Sequence, residues 1–268
     1  MTLLIAALLG VIQGLTEFLP VSSSAHLILA RVFFGWDPEV FGLPFDVAVH
    51  AGTLVAVLAY FRDDVRSMIA AAPAAFTATA GPGRLARLIA IGTVPVVIIG
   101  VVGADWLEAN LRTPGVIAVT LTIGALAMLI AERLGPHRRD EQAITAIDAF
   151  ILGLGQSAAL VPGMSRSGST IATGMFLGMT RASAARFSFL LGIPAIGGAA
   201  LKEGIHLFRT GMSRDEVTFF AVGMVTSAAV GYLTFKYFLR FVGGHRLDVF
   251  AYYRLGLAAV TVVWLWRS

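Results

Sequence analysis

The sequence predicts an all-α polytopic membrane protein organised as an inverted repeat, each half a re-entrant helical hairpin followed by three transmembrane helices. Three observations lead there. The 268 residues are 57% hydrophobic and only 13% charged, with a mean hydropathy of +0.82. Soluble domains carry about 25% charged residues, so this chain has too few to cover a water-facing surface. Several apolar runs reach the roughly 20 residues needed to span hydrocarbon. Two further apolar regions are broken in the middle by proline and serine clusters.

Region 2–34 comes first, and its break is P-V-S-S-S at 20–24. The N-terminus lacks the basic stretch and small-residue cleavage site of a secretory signal, so the first apolar run is expected to be a permanent helix. Spanning runs follow at about 45–62, 85–106 and 114–133. Region 144–179 is again interrupted, by P-G-M-S-R-S at 162–167, and runs at about 184–208, 215–237 and 249–267 complete the chain. In each broken region the arm after the break, at 24–34 or 168–179, covers only about 17 or 18 Å at 1.5 Å per residue. Such an arm cannot cross alone, which makes each region a re-entrant hairpin. The stretch 71–83 reads as a small-residue loop.

A weak internal repeat supports the layout. Gly10-Val11-Ile12-Gln13 recurs as Gly153-Leu154-Gly155-Gln156, each followed by a proline and a serine cluster. The pseudo-repeats are 1–135 and 143–268, within one intertwined membrane domain covering 1–268. An odd number of crossings per half inverts the second half, and inverted repeats with broken helices place ligand sites where the repeats meet. The two breaks are therefore expected within about 10 Å of each other near mid-membrane.

Orientation follows from the cations. With both termini outside, Arg62, Arg66, Arg84, Arg87, Arg133, Arg138, Arg139, Arg181, Arg186, Lys236, Arg240, Arg246 and Arg254 fall on the cytoplasmic side. Arg31, Arg112, Lys202, Arg209, Arg214 and Arg267 fall outside, and Arg166 lies within the membrane. This distribution explains the net charge of +4 without nucleic acid. The absence of cysteine rules out disulfides, thiolate catalysis and cysteine metal sites.

The first break sits in Q-G-L-T-E-F-L-P-V-S-S-S-A-H, residues 13–26. Gln13 and Glu17 are four apart and share a helix face. Pro20 stops that helix, Ser22, Ser23 and Ser24 can cap the next, and His26 falls in its first turn. Taken alone, Glu17 could be a protonated carboxyl in a structural hydrogen bond, but ionisable groups inside a membrane usually mark function. The second break sits in P-G-M-S-R-S-G-S-T, residues 162–170. Ser165 and Ser167 are N-cap candidates, and Gly168 permits close backbone approach. The N-terminus of the following half-helix suits an anion, and Arg166 adds a charged fork matched to phosphate oxygens. The alternative for Arg166 is snorkelling to an interface, which its apolar flanks oppose. Two such clusters meeting tip to tip predict a site for a phosphate-bearing ligand.

Other polar residues receive plainer readings. His50 and Asp46 are expected to support the site or lie at an interface, and Gln156 to serve packing within the repeat. Lys202 and Glu203 look like a snorkelling pair, His206 and His245 interfacial, and Trp264 and Trp266 part of an aromatic belt.

These motifs, with the flanking F-D-V-A-V-H-A-G-T-L-V-A-V and A-R-F-S-F-L-L-G-I-P stretches, resemble the undecaprenyl-diphosphate phosphatase family, also called bacitracin-resistance proteins. The resemblance covers essentially the whole chain. It puts the family's (Glu/Gln)-x-x-x-Glu motif on Gln13 and Glu17, its essential histidine on His26, and its phosphate-binding serine and arginine on Ser165 and Arg166, with Thr170 as the motif threonine. Ala25 replaces a common glycine, and Gln13 takes the amide option, which leaves one carboxylate fewer for a metal. The resemblance implies hydrolysis of undecaprenyl diphosphate to the monophosphate, dependence on a divalent cation such as magnesium or calcium, and a bacterial inner-membrane location with the site open to the outer face. A homodimer is compatible with it.

On that basis Arg166, the half-helix bearing Ser165, Ser167, Gly168 and Thr170, and the divalent ion are expected to hold the diphosphate. Glu17, helped by Gln13, would ligate the ion or position a proton. Ser23, or failing that Ser22, would attack phosphorus while His26 takes its proton; His26 as nucleophile, or activating water, is the alternative. The rival class is a polyprenyl-phosphate transporter using the same site, which broken inverted repeats would suit.

Overall fold

The computed structural model describes residues 2–267, the side chains of residues 104, 105 and 108 excepted, and contains helices but no strand among the described residues. In chain order the longer helices are α1 (Thr2–Thr16), α2 (Ser23–Phe34), α3 (Leu43–Tyr60), α4 (Arg62–Ala71), α5 (Gly81–Leu111), α6 (Pro114–Leu134), α7 (Ala146–Ser157), α8 (Arg166–Phe176), α9 (Arg181–Thr210), α10 (Arg214–Val242) and α11 (Asp248–Arg267). Helices α3, α5, α6, α9, α10 and α11 are long and apolar enough to cross a membrane, and they coincide closely with the expected runs. Helices α1, α2, α7 and α8 have only 15, 12, 12 and 11 residues. At 1.5 Å per residue they reach about 16–22 Å, too little to cross.

Helix α4 was not expected from the sequence. R-D-D-V-R-S-M-I-A-A forms an amphipathic surface helix with Asp63 and Asp64 in its first turn, where the dipole favours them. It buries no residue fully, but Val65 and Met68 rest on the core.

The same two devices shape both halves. Each first arm ends at a proline-containing turn, and each second arm starts from a serine in the left-handed region, Ser22 at φ 72° and Ser165 at φ 67°. Each serine hydroxyl caps its helix, accepting from Ala25 N–H at 3.4 Å and Gly168 N–H at 3.1 Å. Such backbone costs about 1–3 kcal/mol for a non-glycine residue and persists only where its surroundings over-determine it. The second device is glycine contact. A Cβ on Gly10 of α1 would meet the Gly223 carbonyl of α10 at 2.6 Å, and one on Gly153 of α7 would strike the Gly92 carbonyl of α5. Gly10 and Gly153 are the matched positions of the sequence repeat, and each packs its short arm against a long helix of the other half. Small residues allow such backbone approach where lipid removes the hydrophobic drive for helix association.

The breaks meet, as expected. Ser167 Oγ donates to the Leu19 carbonyl at 3.2 Å, and Gly163 N–H points to Ser24 Oγ at 3.4 Å. Arg254 corrects the orientation argument. Counted among the cytoplasmic cations, it is in fact fully buried. Its guanidinium donates to the carbonyls of Pro20 at 3.4 Å, Gly163 at 3.0 Å and Met164 at 3.2 Å, and to Thr120 and Leu121 of α6 at 3.2 Å each. Helix ends inside a membrane leave carbonyls that no water can satisfy, and one arginine serves both breaks. Arg254→Ala is therefore expected to lower stability by about 3 kcal/mol, the scale of charged hydrogen bonds lost with their acceptors stranded. Thermal unfolding in detergent checks this against Arg209→Ala, where the residue is exposed; equal melting points would contradict the assignment.

The end where α3 finishes and α9 starts is bound by ion pairs. Arg181 grips Glu132 at 2.6 Å, Arg186 grips Asp64 at 2.6 Å and Glu141 at 2.7 Å, and Arg139 grips Asp148 at 2.5 Å. Just inside lies an aromatic cluster of Phe18, Phe61, Phe189 and Phe235, whose ring centroids are 4.7–5.9 Å apart in edge contacts. It seals the core behind Glu17.

Candidate active site at the meeting of the two breaks

A cavity of about 260 Å³ opens where the breaks meet, lined by Glu17, Ser22, Ser23, Ser24, Ser165 and Arg166 from the breaks and by Asp46, His50, Arg112 and Gln156 from around them. Its remaining wall is apolar, with Leu43 and Val47 of α3, Val96 of α5, and Ala195, Ile196 and Ala199 of α9. Polar groups thus share a slot whose remaining sides suit hydrocarbon.

Glu17 is the centre of this arrangement. It is the first residue after α1, so its side chain stays on the Gln13 face while the chain turns away. Its Oε1 takes the Arg166 Nη2 donor at 3.1 Å. Its Oε2 accepts from Ser23 Oγ at 2.7 Å and Gln13 Nε2 at 3.1 Å, and lies 3.3 Å from His50 Nε2. Arg166 also donates from Nη1 to the Ser188 carbonyl at 3.2 Å, and its guanidinium occupies the space that a Cβ on Gly192 would fill. Its Nε is buried without a partner. The arginine is thereby held with donor capacity unspent, and Ser23, the one hydroxyl bonded to a carboxylate here, faces the same cavity.

The remaining expected site residues take different places. Ser22 and Ser165 line the cavity as caps. Ser167 is fully buried and ties the breaks together, and Thr170 is fully buried with its hydroxyl on the Arg166 carbonyl at 2.8 Å. Gly168 is wedged where a Cβ would meet Arg254 at 2.9 Å and Ser165 Oγ at 3.1 Å. These three lie behind the cavity wall and support it.

His26 departs from the expected pairing. Its Nδ1 sits 2.7 Å from the Ser22 carbonyl and its Nε2 2.8 Å from the Tyr253 hydroxyl, with the two rings stacked. It does not line the cavity, and no hydrogen bond joins it to Ser23 among the described residues. Ser23 and His26 are three apart on one helix, but the hydroxyl turns toward Glu17 and the ring toward α11.

The sequence reading missed three contributors. His50, read as supporting or interfacial, stands directly on Glu17. Gln156, assigned to packing, lines the cavity with both amide atoms buried and unpartnered, which packing does not explain. Its match to Gln13 in the repeat was the available signal. Arg112 lines the cavity and pairs with Asp46.

No group of three or more Asp, Glu or His that could hold a metal occurs among the described residues. A hard divalent ion can, however, be bound by one or two carboxylates when substrate phosphates complete its shell. Glu17 offers the carboxylate, and Gln13 Oε1 beside it is a buried oxygen without a partner. The residues fit an ion of that kind.

Comparison with known proteins gives the following. A family model described as bacitracin resistance protein BacA matches residues 6–260. Undecaprenyl-diphosphatase from Rubrobacter xylanophilus is 45% identical over 267 residues, covering 98% of each chain. The enzymes of that name from Thermodesulfovibrio yellowstonii and Moorella thermoacetica are each 41% identical, over 95% and 99% of this chain and 94% and 99% of theirs.

Proposed function

Because the chain belongs to the bacitracin resistance BacA family, we infer that the cavity at the meeting of its two breaks is where undecaprenyl diphosphate is hydrolysed. The protein is an integral-membrane undecaprenyl-diphosphatase, releasing undecaprenyl phosphate and inorganic phosphate and so recycling the lipid carrier for cell-wall synthesis. The observation that carries the site assignment is the Ser23–Glu17–Arg166 chain of contacts at 2.7 and 3.1 Å.

In this reading the terminal phosphate enters beside Ser23, and its anion competes with Glu17 for the Arg166 guanidinium. Relieved of that partner, Glu17 becomes the better base for the hydroxyl it already accepts from. Ser23 Oγ attacks phosphorus, its proton passes to Glu17, and the bridging P–O bond breaks with the electron pair leaving on undecaprenyl phosphate. Glu17 hands that proton to the departing undecaprenyl phosphate, then takes one from the water that attacks the phosphoserine and returns it to Ser23 Oγ as inorganic phosphate leaves. Arg166 spreads the charge that develops on the phosphoryl oxygens. His50 holds Glu17 from the far side. His26, through the Ser22 carbonyl, is a positioning residue that fixes the left-handed turn from which α2 presents Ser23. A divalent ion, held by Glu17 and Gln13, would neutralise charge on the diphosphate when bound.

The apolar wall from α3, α5 and α9 accommodates the start of the isoprenyl chain. We place the protein in the bacterial plasma membrane with this cavity toward the outer face, because Asp46 and Arg112 lie at the end opposite the ion-paired, cation-rich one. The two halves are read as inverted repeats from their matching breaks and reciprocal glycine contacts. Neither the site nor the names of the relatives speak for transport.

Purified protein given polyprenyl diphosphate is expected to release inorganic phosphate, and to stop when a chelator removes divalent ions. A preparation that binds the lipid but releases no phosphate at any metal concentration would overturn the reading.

A further inference from the structure

We propose that Arg112 holds the second phosphate of the substrate, the one joined to the lipid, and so recognises the monophosphate product as well. The proposal rests on the hydrolytic reading above and extends it to a residue outside both sequence motifs.

Asp46 is already neutralised without Arg112. Arg31 grips it with two parallel bonds, Nη1 to Oδ1 at 2.6 Å and Nη2 to Oδ2 at 2.9 Å, and also donates to the Phe41 carbonyl at 2.6 Å. Both side chains are buried, at 7% and 6% exposure. Such a fork-to-fork pair is complete in itself. Arg112 nevertheless docks a single Nη2 on the same Oδ2, and its side chain is 23% exposed. The cluster of two arginines on one carboxylate carries a surplus positive charge, located on the more exposed of the two guanidiniums, which lines the cavity that Arg166 also lines. A cation at the C-terminal end of α5 answers the helix dipole, but that role does not require a second arginine on Asp46.

Arg112 and Arg166 face one cavity and are linked through Glu17, His50 and Asp46. Arg166 touches Glu17, Glu17 touches His50, His50 Nδ1 sits 2.7 Å from the Asp46 carbonyl, and the Asp46 carboxylate meets Arg112. Asp46 and His50 are separated by one turn of α3, about 5.4 Å along its axis. The two arginines therefore stand at the ends of one chain of contacts along the wall of the cavity that both line. Ser23 must face the terminal phosphorus, which lies with Arg166. The lipid-linked phosphate then falls on the Asp46 side, next to Leu43 and Val47, where the hydrocarbon begins. An arginine there stabilises the charge that appears on the leaving monophosphate when the bridging bond breaks.

The test measures inhibition of the purified enzyme by its two products separately, undecaprenyl phosphate and inorganic phosphate. Arg112→Gln is expected to raise KM for the diphosphate and to weaken inhibition by undecaprenyl phosphate by about tenfold, about 1.4 kcal/mol. Inhibition by inorganic phosphate, which binds with Arg166, should stay within about twofold. Arg112→Lys keeps the charge beside Asp46 but loses the planar fork, and it carries the same test should the glutamine variant unfold. Unchanged inhibition by undecaprenyl phosphate in the folded variant, or equal weakening for both products, would overturn the proposal. Wild-type enzyme that hydrolyses nothing would instead overturn the function on which it rests.

Discussion

Replacing Arg166 by alanine is expected to lower phosphate release by about a hundred- to a thousandfold or more, the range seen when one preorganised charge-stabilising donor is lost. Its removal acts three times over. The phosphoryl oxygens lose a charged fork, Glu17 loses its partner at 3.1 Å, and the Ser188 carbonyl loses a donor at 3.2 Å. Lysine should restore little. An ammonium is a point charge and cannot reproduce a planar guanidinium, which here fills the space over Gly192 and bonds in two directions at once. Steady-state turnover with polyprenyl diphosphate checks both variants. Near-normal turnover in Arg166→Lys would mean that charge alone suffices and that the fork is incidental.

The second large effect is expected at Ser23. Ser23→Ala should reduce turnover by about a thousandfold or more, as loss of a nucleophile does, while diphosphate binding survives within about tenfold. Binding should survive because Arg166 and the capped end of α8 remain, and the lost hydroxyl contacts only Glu17. His26→Ala should also lose turnover with binding retained, but through position: the ring braces the Ser22 carbonyl against Tyr253. Tyr253→Phe therefore becomes the informative comparison, and it should reduce turnover in the same direction by less. If Ser23→Ala kept near-normal turnover, attack would pass to water activated by Glu17. If Tyr253→Phe changed nothing while His26→Ala was inactive, the ring would be acting in another orientation, at the cavity itself.

Much of the site was readable because its two halves are local motifs. Glu17 and Gln13 share a face by their spacing, and Pro20 and Pro162 interrupt helices wherever the rest of the chain goes. Serines follow each proline at the positions that cap the next helix, and the observed caps are Ser22 and Ser165. The errors fell on residues whose partners are remote in the chain. His50 and Glu17 are separated by most of two helices, and Arg254 reaches its carbonyls from the last helix of the bundle. Ser167, Gly168 and Thr170 lay inside a site motif and were read as ligand contacts; their side chains and backbone pack behind the cavity wall.

The sequence by itself determined the solvent, the helices and the breaks. Hydrocarbon demands long runs with internally satisfied backbone, and the residues that violate this demand are few and stand out. It also determined that serines after each break would cap the arm that follows, whereas the left-handed backbone of Ser22 and Ser165 emerged only in the structure. Tertiary structure decided which side chains meet across the cavity. A helical period tells which residues share a face, but not which neighbour that face will touch. Here that choice was made by close backbone contact, Gly10 on Gly223 and Gly153 on Gly92. Those contacts set the rotation and height of α1 and α7, and with them the approach of Glu17 to His50.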